Sequence, residues 1–166
     1  MFGKLLLAEG LQRCGYPPEK ARNIVWDASG RPFLDGGMDF NISHSDAYVV
    51  CAFSPVGRIG IDIERIRQID LCDFEGQMTR EQWEEITASE DRLDTFFSLW
   101  TKKEAVTKAD GRGISIPLDE IIIEKETVVL AGELWRLKKI KITGGYCCHL
   151  ALTGEDPDIR IEQIYL

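Results

Sequence analysis

The chain is poor in several things that would otherwise guide a functional reading. It has two histidines, six prolines and no Cys-x-x-Cys pair in 166 residues. With 15 glycines as well, the low proline content excludes a collagenous or low-complexity chain. Basic residues are outnumbered: 20 Lys and Arg face 28 Asp and Glu, for a net charge of −8. That balance argues against a general DNA or RNA binder, which carries a basic stripe. It leaves room for a small cluster of Lys and Arg around one anionic ligand. No apolar run exceeds Ala47 to Phe53, far below the roughly 20 residues of a membrane-spanning helix. The N-terminus reaches Glu9 too soon for a signal-peptide core. The five cysteines (Cys14, Cys51, Cys72, Cys147, Cys148) are an odd set, read as reduced small hydrophobes of a cytoplasmic protein.

What is present suits a compact domain, or two small half-domains sharing a core: 44% of residues are apolar and 29% charged. Helical spacing of Leu5, Leu6, Ala8 and Leu11 predicts a helix over Lys4 to Gln12, stopped by Gly15 and Pro17-Pro18. Glu19 to Asn23 reads as a short helical turn and Ile24-Val25-Trp26 as a short strand. Strands follow at Phe40 to Ser43, Tyr48 to Phe53 and Arg58 to Glu64, the last two joined by the turn Ser54-Pro55-Val56-Gly57. Beyond Glu64 acids become dense. Thr79 followed by Gln82 resembles a capping box and starts a helix over about Arg80 to Ala88. A longer helix over Asp91 to Ala109 ends at Gly111 and Gly113. The remainder reads as strands at Glu120 to Glu124, Thr127 to Ala131, Glu133 to Ile142, Tyr146 to Leu152 and Ile159 to Tyr165. This order predicts an α+β fold whose halves meet near Ile59 to Glu64.

Three segments carry residues suited to chemistry. Asp62 and Glu64 lie two apart on a predicted strand, so both carboxylates share one face. Side by side they repel unless a cation lies between them, and hard divalent ions take such oxygens; the alternative is a solvated sheet edge. Trp100, Glu104 and Lys108 recur one helical turn apart. Glu104 and Lys108 are either a surface ion pair or a third metal carboxylate beside a phosphate-binding ammonium. Asn41-Ile42-Ser43-His44-Ser45 offers an imidazole among hydroxyls, a candidate phosphate cradle or a Ser-His nucleophile pair. Gly30-Arg31-Pro32 puts a lone cation in a turn, and His149 in its apolar strand reads as a packed core residue.

Taken in order, Asn41-Ile42-Ser43-His44-Ser45, Ile59-Gly60-Ile61-Asp62-Ile63-Glu64 and Phe97 to Lys108 closely resemble the 4′-phosphopantetheinyl transferase superfamily, in its larger, pseudo-dimeric Sfp-type branch. The motifs Gly-x-Asp-x-Glu and Trp-x-x-Lys-Glu-x-x-x-Lys are both complete, and Arg31 matches a Lys or Arg before Pro in the same family. The resemblance implies two pseudo-two-fold-related halves, each with a small antiparallel sheet packed on helices. Residues 1–58 would form the N-terminal, coenzyme-binding half and residues 59–166 the half with the metal motifs and carrier docking. It implies a holo-[acyl-carrier-protein] synthase activity: phosphopantetheine moves from coenzyme A to a serine of an acyl or peptidyl carrier protein and 3′,5′-ADP is released. Asp62, Glu64 and Glu104 would bind Mg²⁺, or Mn²⁺ in its place, against the pyrophosphate. Lys108 would touch that pyrophosphate with Lys103 nearby. Ser43 and His44 would hold phosphate oxygens, and Gly30, Arg31 and Pro32 would flank the adenine and its 3′-phosphate. Glu104 is the candidate base for the carrier serine.

Sfp-type chains begin well upstream, with a strand and basic residues, so the resemblance implies an N-terminally short member in which Lys4 and Arg31 compensate. The apo carrier is the implied partner, with no nucleic acid and no membrane, and a monomer suffices because both halves lie in one chain. Carriers are generally acidic, as is this chain, so broad electrostatic steering is not the main attraction. The stretch Arg65 to Phe74 follows the metal strand directly. It is read either as the docking segment or as the first helix of the second half. The rival functions are a non-catalytic relative that binds coenzyme A or a carrier, and a metal-dependent pyrophosphohydrolase acting on coenzyme A.

Overall fold

A computed structural model describes residues 2–154 and 158–165, the side chain of residue 114 excepted. The chain opens with helix α1 (Phe2–Arg13), whose Leu7 and Leu11 are buried. A 3₁₀ turn at Pro18–Arg22 leads to a short hairpin, β1 (Ile24–Trp26) with β2 (Pro32–Leu34). A longer hairpin follows, β3 (Asp39–Ser45) with β4 (Tyr48–Ser54), in which Asn41 faces Ala52. Strand β5 (Ile59–Arg65) then enters a five-stranded antiparallel sheet with β6 (Ile123–Glu124), β7 (Thr127–Leu130), β8 (Glu133–Lys139) and β9 (Tyr146–Leu152), in the order β5-β9-β8-β7-β6. Between β5 and β6 lie a 3₁₀ segment (Leu71–Gln77), α2 (Arg80–Ala88) and α3 (Arg92–Asp110).

Period-two alternation distributes the core. In β4, Tyr48, Val50 and Ala52 pack on Ile59, Ile61 and Ile63 of β5 and on Leu150 and Leu152 of β9. The opposite residues Cys51 and Phe53 join Phe40 and Ile42 of β3 against Leu7 and Leu11 of α1. The other face of the large sheet carries α3, through Ala105, Val106 and Ala109 against Trp135, Leu137 and Ala151. Helix boundaries follow the expected caps. Thr79 and Gln82 form a reciprocal capping box for α2. Asp91 accepts the Asp94 N–H to start α3, and Gly111 ends it in the left-handed region at φ 94°.

Three expected strands are corrected. Of Glu120 to Glu124 only Ile123–Glu124 is strand (β6), since Glu120 closes a 3₁₀ turn (Leu118–Glu120) and Ile121 and Ile122 are irregular, and β8 stops at Lys139 rather than Ile142. Ile159 to Tyr165 forms no strand. Ile159 packs on the core of Ile61 and Leu150, while Ile161 and Tyr165 stay exposed. Apolar alternation needs a free sheet edge beside it, and the β5 edge is already taken. Asp39, Asn41, Ser43 and Ser45, every second residue of β3, accept the backbone N–H groups of Ile59, Ile61, Ile63 and Arg65 at 2.8, 2.9, 3.3 and 3.0 Å. Side chains thus replace a strand along this edge and join the first hairpin to the large sheet.

Candidate active site

The register of β5 with β9 sets Asp62 opposite His149 and Glu64 opposite Cys147, so both acids share the face that α3 covers. Gly60 lets the helix come close. A Cβ placed there would lie 2.1 Å from the Ala105 carbonyl oxygen, 2.6 Å from the Ala109 nitrogen and 2.8 Å from the Ala109 Cβ. The glycine of Gly-x-Asp-x-Glu is therefore needed for contact with α3. That contact brings Glu104 and Lys108, one turn apart, over Asp62. The result is a pocket of about 350 Å³ lined by Ile42, Ser43, His44, Asp62, Glu64, Trp100, Glu104 and Lys108.

Asp62 is 3% exposed. Its Oδ1 accepts from Lys108 Nζ at 2.6 Å and from Ser43 Oγ at 3.0 Å, and Lys108 Nζ also donates to Ser43 Oγ at 2.9 Å. Its Oδ2 is buried with no partner among the described residues. Glu64 Oε2 accepts from Ser45 Oγ at 2.9 Å. Burial pushes the Asp62 carboxyl above its ordinary value, with Lys108 pulling the other way. Burial likewise raises Glu104, and the neighbouring charges of Asp62 and Glu64 add to it. Three acids are thus held together against mutual repulsion, partly out of water, with one ammonium between them.

A hard divalent cation fits this donor set, which is all oxygen and partly withdrawn from water. Among the described residues no three His, Cys, Asp or Glu side chains form a cage that could hold a metal by themselves. Asp62, Glu64 and Glu104 thus line one pocket without closing into such a cage.

Several residues singled out from sequence lie elsewhere. Lys103 is fully buried and donates to the carbonyls of Gln77 at 2.9 Å and Leu118 at 2.6 Å, so it does not stand near a pyrophosphate. Successive helical residues differ by about 100°, which turns Lys103 off the face of Trp100, Glu104 and Lys108. Burial lowers its pKa to about 8. Arg31 lines a different pocket, with Phe33, Met38 and Arg58. Its guanidinium is committed within the chain: bidentate to Asp39 (2.7 Å each), and donating to the carbonyls of Ile59 (2.8 Å) and Lys108 (3.0 Å). Gly30 and Pro32 flank it and do not line the carboxylate pocket. Ser43 lines that pocket, but its hydroxyl belongs to the Asp62–Lys108 network, whereas His44 is exposed at the pocket. In the stretch Arg65 to Phe74, Ile66, Ile69, Leu71 and Phe74 pack on Phe96, Phe97 and Leu99. Arg65 and Arg67 remain exposed, Arg65 pairing with Asp46. The segment is 3₁₀ over Leu71–Gln77, not an α-helix. His149 is fully buried, with Nδ1 2.7 Å from Thr101 Oγ1. Burial and the charges of Lys102 and Lys139 push it down to about 3, so the ring is neutral at physiological pH.

Asp39, Asn41, Ser45 and Thr101 escaped the sequence reading as parts of this framework. A signal for the first three existed: short polar side chains at every second position of a strand, on the face where a core strand would be apolar.

Comparison with known proteins gives the family. The family model described as the 4′-phosphopantetheinyl transferase superfamily matches residues 58–148, more than half of the chain. The 4′-phosphopantetheinyl transferase gsp of Aneurinibacillus migulanus is 40% identical over 130 residues, covering 75% of this chain and 53% of that protein. The 4′-phosphopantetheinyl transferase Sfp of Bacillus subtilis is 37% identical over 98 residues, covering 57% of this chain and 43% of that protein. The chain thus spans about half the length of the curated relatives it matches. The crystal structure of Thermotoga maritima holo-[acyl-carrier-protein] synthase aligns over 60% of this chain and 64% of that one, with a TM-score of 0.46 and 14% identity. The chain belongs to the 4′-phosphopantetheinyl transferase superfamily, in its Sfp-type branch.

Proposed function

We propose that this chain transfers 4′-phosphopantetheine from coenzyme A to the serine of an apo acyl or peptidyl carrier protein, with Mg²⁺ or Mn²⁺. The observation that carries the reading is the meeting of Asp62, Glu64, Glu104 and Lys108 in one pocket between β5 and α3. In the reaction the serine oxygen forms a bond to the phosphorus that bears pantetheine. The bond from that phosphorus to the bridging oxygen breaks, and 3′,5′-ADP leaves with the electron pair. Asp62, Glu64 and Glu104 would hold the divalent ion, which supplies charge neutralisation to the pyrophosphate. Lys108 adds a cation on the same side, and a phosphate arriving at its Nζ competes with Asp62 Oδ1 for it. Glu104, raised by burial, is the candidate acceptor of the serine proton. His44, exposed beside the pocket, is placed to meet a phosphate oxygen.

Residues 1–58 form the coenzyme side in this reading, and residues 59–166 carry the metal and docking side. The carrier would meet the exposed edge of Arg65 to Phe74, where Arg65, paired with Asp46, and Arg67 are the exposed cations of a segment anchored by its apolar side chains. The five cysteines are free thiols, which suits the cytoplasm, and no helix of the described residues is long and apolar enough to cross a membrane. The test is incubation with coenzyme A, Mg²⁺ and an apo carrier. A carrier mass gain of one phosphopantetheine with release of 3′,5′-ADP is expected, abolished in Asp62→Ala and in Glu104→Ala. Full activity in Asp62→Ala refutes the assignment; release of 3′,5′-ADP with no carrier present would make the chain a hydrolase instead.

A further inference from the structure

Asp62 Oδ2 and His149 Nε2 are both buried and have no partner among the described residues, and they belong to directly opposed residues of β5 and β9 on one sheet face. Directly opposed side chains have Cβ atoms about 5 Å apart. The one other such atom among the described residues, Trp135 Nε1, lies on β8 four residues from Lys139, the residue facing His149 on that side. Lys139 itself is exposed.

The chemistry of the pair is determined by its surroundings. Thr101 Oγ1 has carbonyl acceptors for its single hydrogen at Phe97 (2.7 Å) and Ser98 (3.3 Å). With that hydrogen given to the helix backbone, its oxygen accepts from His149 Nδ1 at 2.7 Å and the imidazole proton lies on Nδ1. Nε2 is left as a bare lone pair. The carboxylate Oδ2 is an acceptor too, so the two atoms cannot satisfy each other. A water molecule has two hydrogens to offer, and buried waters are found where polar groups are otherwise unsatisfied.

We propose that His149 is a positioning residue for Asp62, holding its Oδ2 through a single buried water that donates to Oδ2 and to His149 Nε2. Thr101 fixes the imidazole, the imidazole fixes the water, and the water fixes the plane of the carboxylate whose Oδ1 faces Ser43 and Lys108. The inference rests on the reading of Asp62 as a metal ligand for its consequence, but not for the existence of the bridge. Outer partners of metal-binding groups typically change metal affinity 10–100-fold when removed.

The bridge is tested on the metal-free chain by crystallography at a resolution that shows ordered waters, and by ¹⁵N NMR of the imidazole. One water within hydrogen-bond distance of both atoms, with Nδ1 protonated, is expected. Separate waters on the two atoms, or a proton on Nε2, overturn the proposal. Its consequence is read from Mg²⁺ titrations of the protein saturated with coenzyme A, followed by thermal shift. His149→Phe, which keeps the ring volume, is expected to weaken Mg²⁺ binding about tenfold. His149→Gln, whose amide can donate to Oδ2, is expected to restore most of it. Equal weakening in both variants would mean packing alone, and unchanged affinity in His149→Phe would overturn the positioning role. Should His149→Phe fail to fold, His149→Gln and the NMR measurement still decide. An unchanged Mg²⁺ affinity in Asp62→Asn would sink the metal reading while leaving the bridge intact.

Discussion

Gly60→Ala adds one methyl group where α3 crosses β5, and its effect can be worked from the crossing itself. The new Cβ would stand 2.1 Å from the Ala105 carbonyl oxygen and 2.6 Å from the Ala109 nitrogen, where real Cβ atoms do not come closer than 3.0 Å. Both obstacles are helix backbone, so no rotamer change relieves them and α3 must retreat by about an ångström. Overpacking of this kind costs typically 1–3 kcal/mol, or several degrees in Tm for a chain of this size. The retreat also carries Glu104 and Lys108 away from Asp62, and a misplacement of that size can lower turnover about 100-fold. Thermal unfolding and a carrier-modification assay on one preparation measure both effects. Gly76→Ala, where an added Cβ meets nothing within 4 Å, is the control for stability. A Gly60→Ala protein with unaltered Tm and unaltered kcat would refute the claim that this glycine sets the distance between the acids and the helix.

Three further outcomes follow from the framework. Arg31→Lys keeps the charge but cannot fork onto Asp39 while also reaching the Ile59 and Lys108 carbonyls. A loss of about 2 kcal/mol in chemical denaturation is expected, and an unchanged midpoint would free the guanidinium for ligand contact. Lys103→Met strips the carbonyls of Gln77 and Leu118 of their donor, so a loss of about 1–3 kcal/mol in chemical denaturation is expected, and an unchanged midpoint would contradict its structural role. His149 titrates at about 3 in the folded chain against an ordinary value of 6.5. As pH falls through that window the unfolded chain takes up a proton that the folded chain refuses, so stability drops by up to about 1.4 kcal/mol per pH unit. Denaturation curves of wild type and His149→Phe across the window should converge as pH falls, and parallel curves would contradict the buried neutral ring.

The helices were legible because their signals are local. Thr79 with Gln82, Asp91 and Gly111 act within one turn of their own chain, and the boundaries of α2 and α3 follow to within a residue. Strands depend on a neighbour. Tyr146 to Leu152 and Thr127 to Leu130 found partners, whereas Ile159 to Tyr165, with the same alternation, did not. The edge of β5 was closed by side chains from β3, an arrangement that no strand propensity encodes.

At the site, sequence spacing identified which residues gather but not what each one faces. Asp62, Glu64, Glu104 and Lys108 were legible because period two on a strand and period four on a helix each define a face, and the two faces meet. The same arithmetic, applied strictly, turns Lys103 away from Glu104, and its bonds to Gln77 and Leu118 follow from that turn. Arg31 and Ser43 resist such arithmetic. Each is a polar group lining a pocket, with an acid close by in space that no local period points to: Asp39 is eight residues from Arg31, and Asp62 is 19 from Ser43. A buried guanidinium without a counter-charge would be strongly destabilising, so the fold had to supply one. A residue type that suits a phosphate suits an internal carboxylate equally well. Which of the two an arginine meets is decided by the packing of β2 against β3, beyond the reach of any motif.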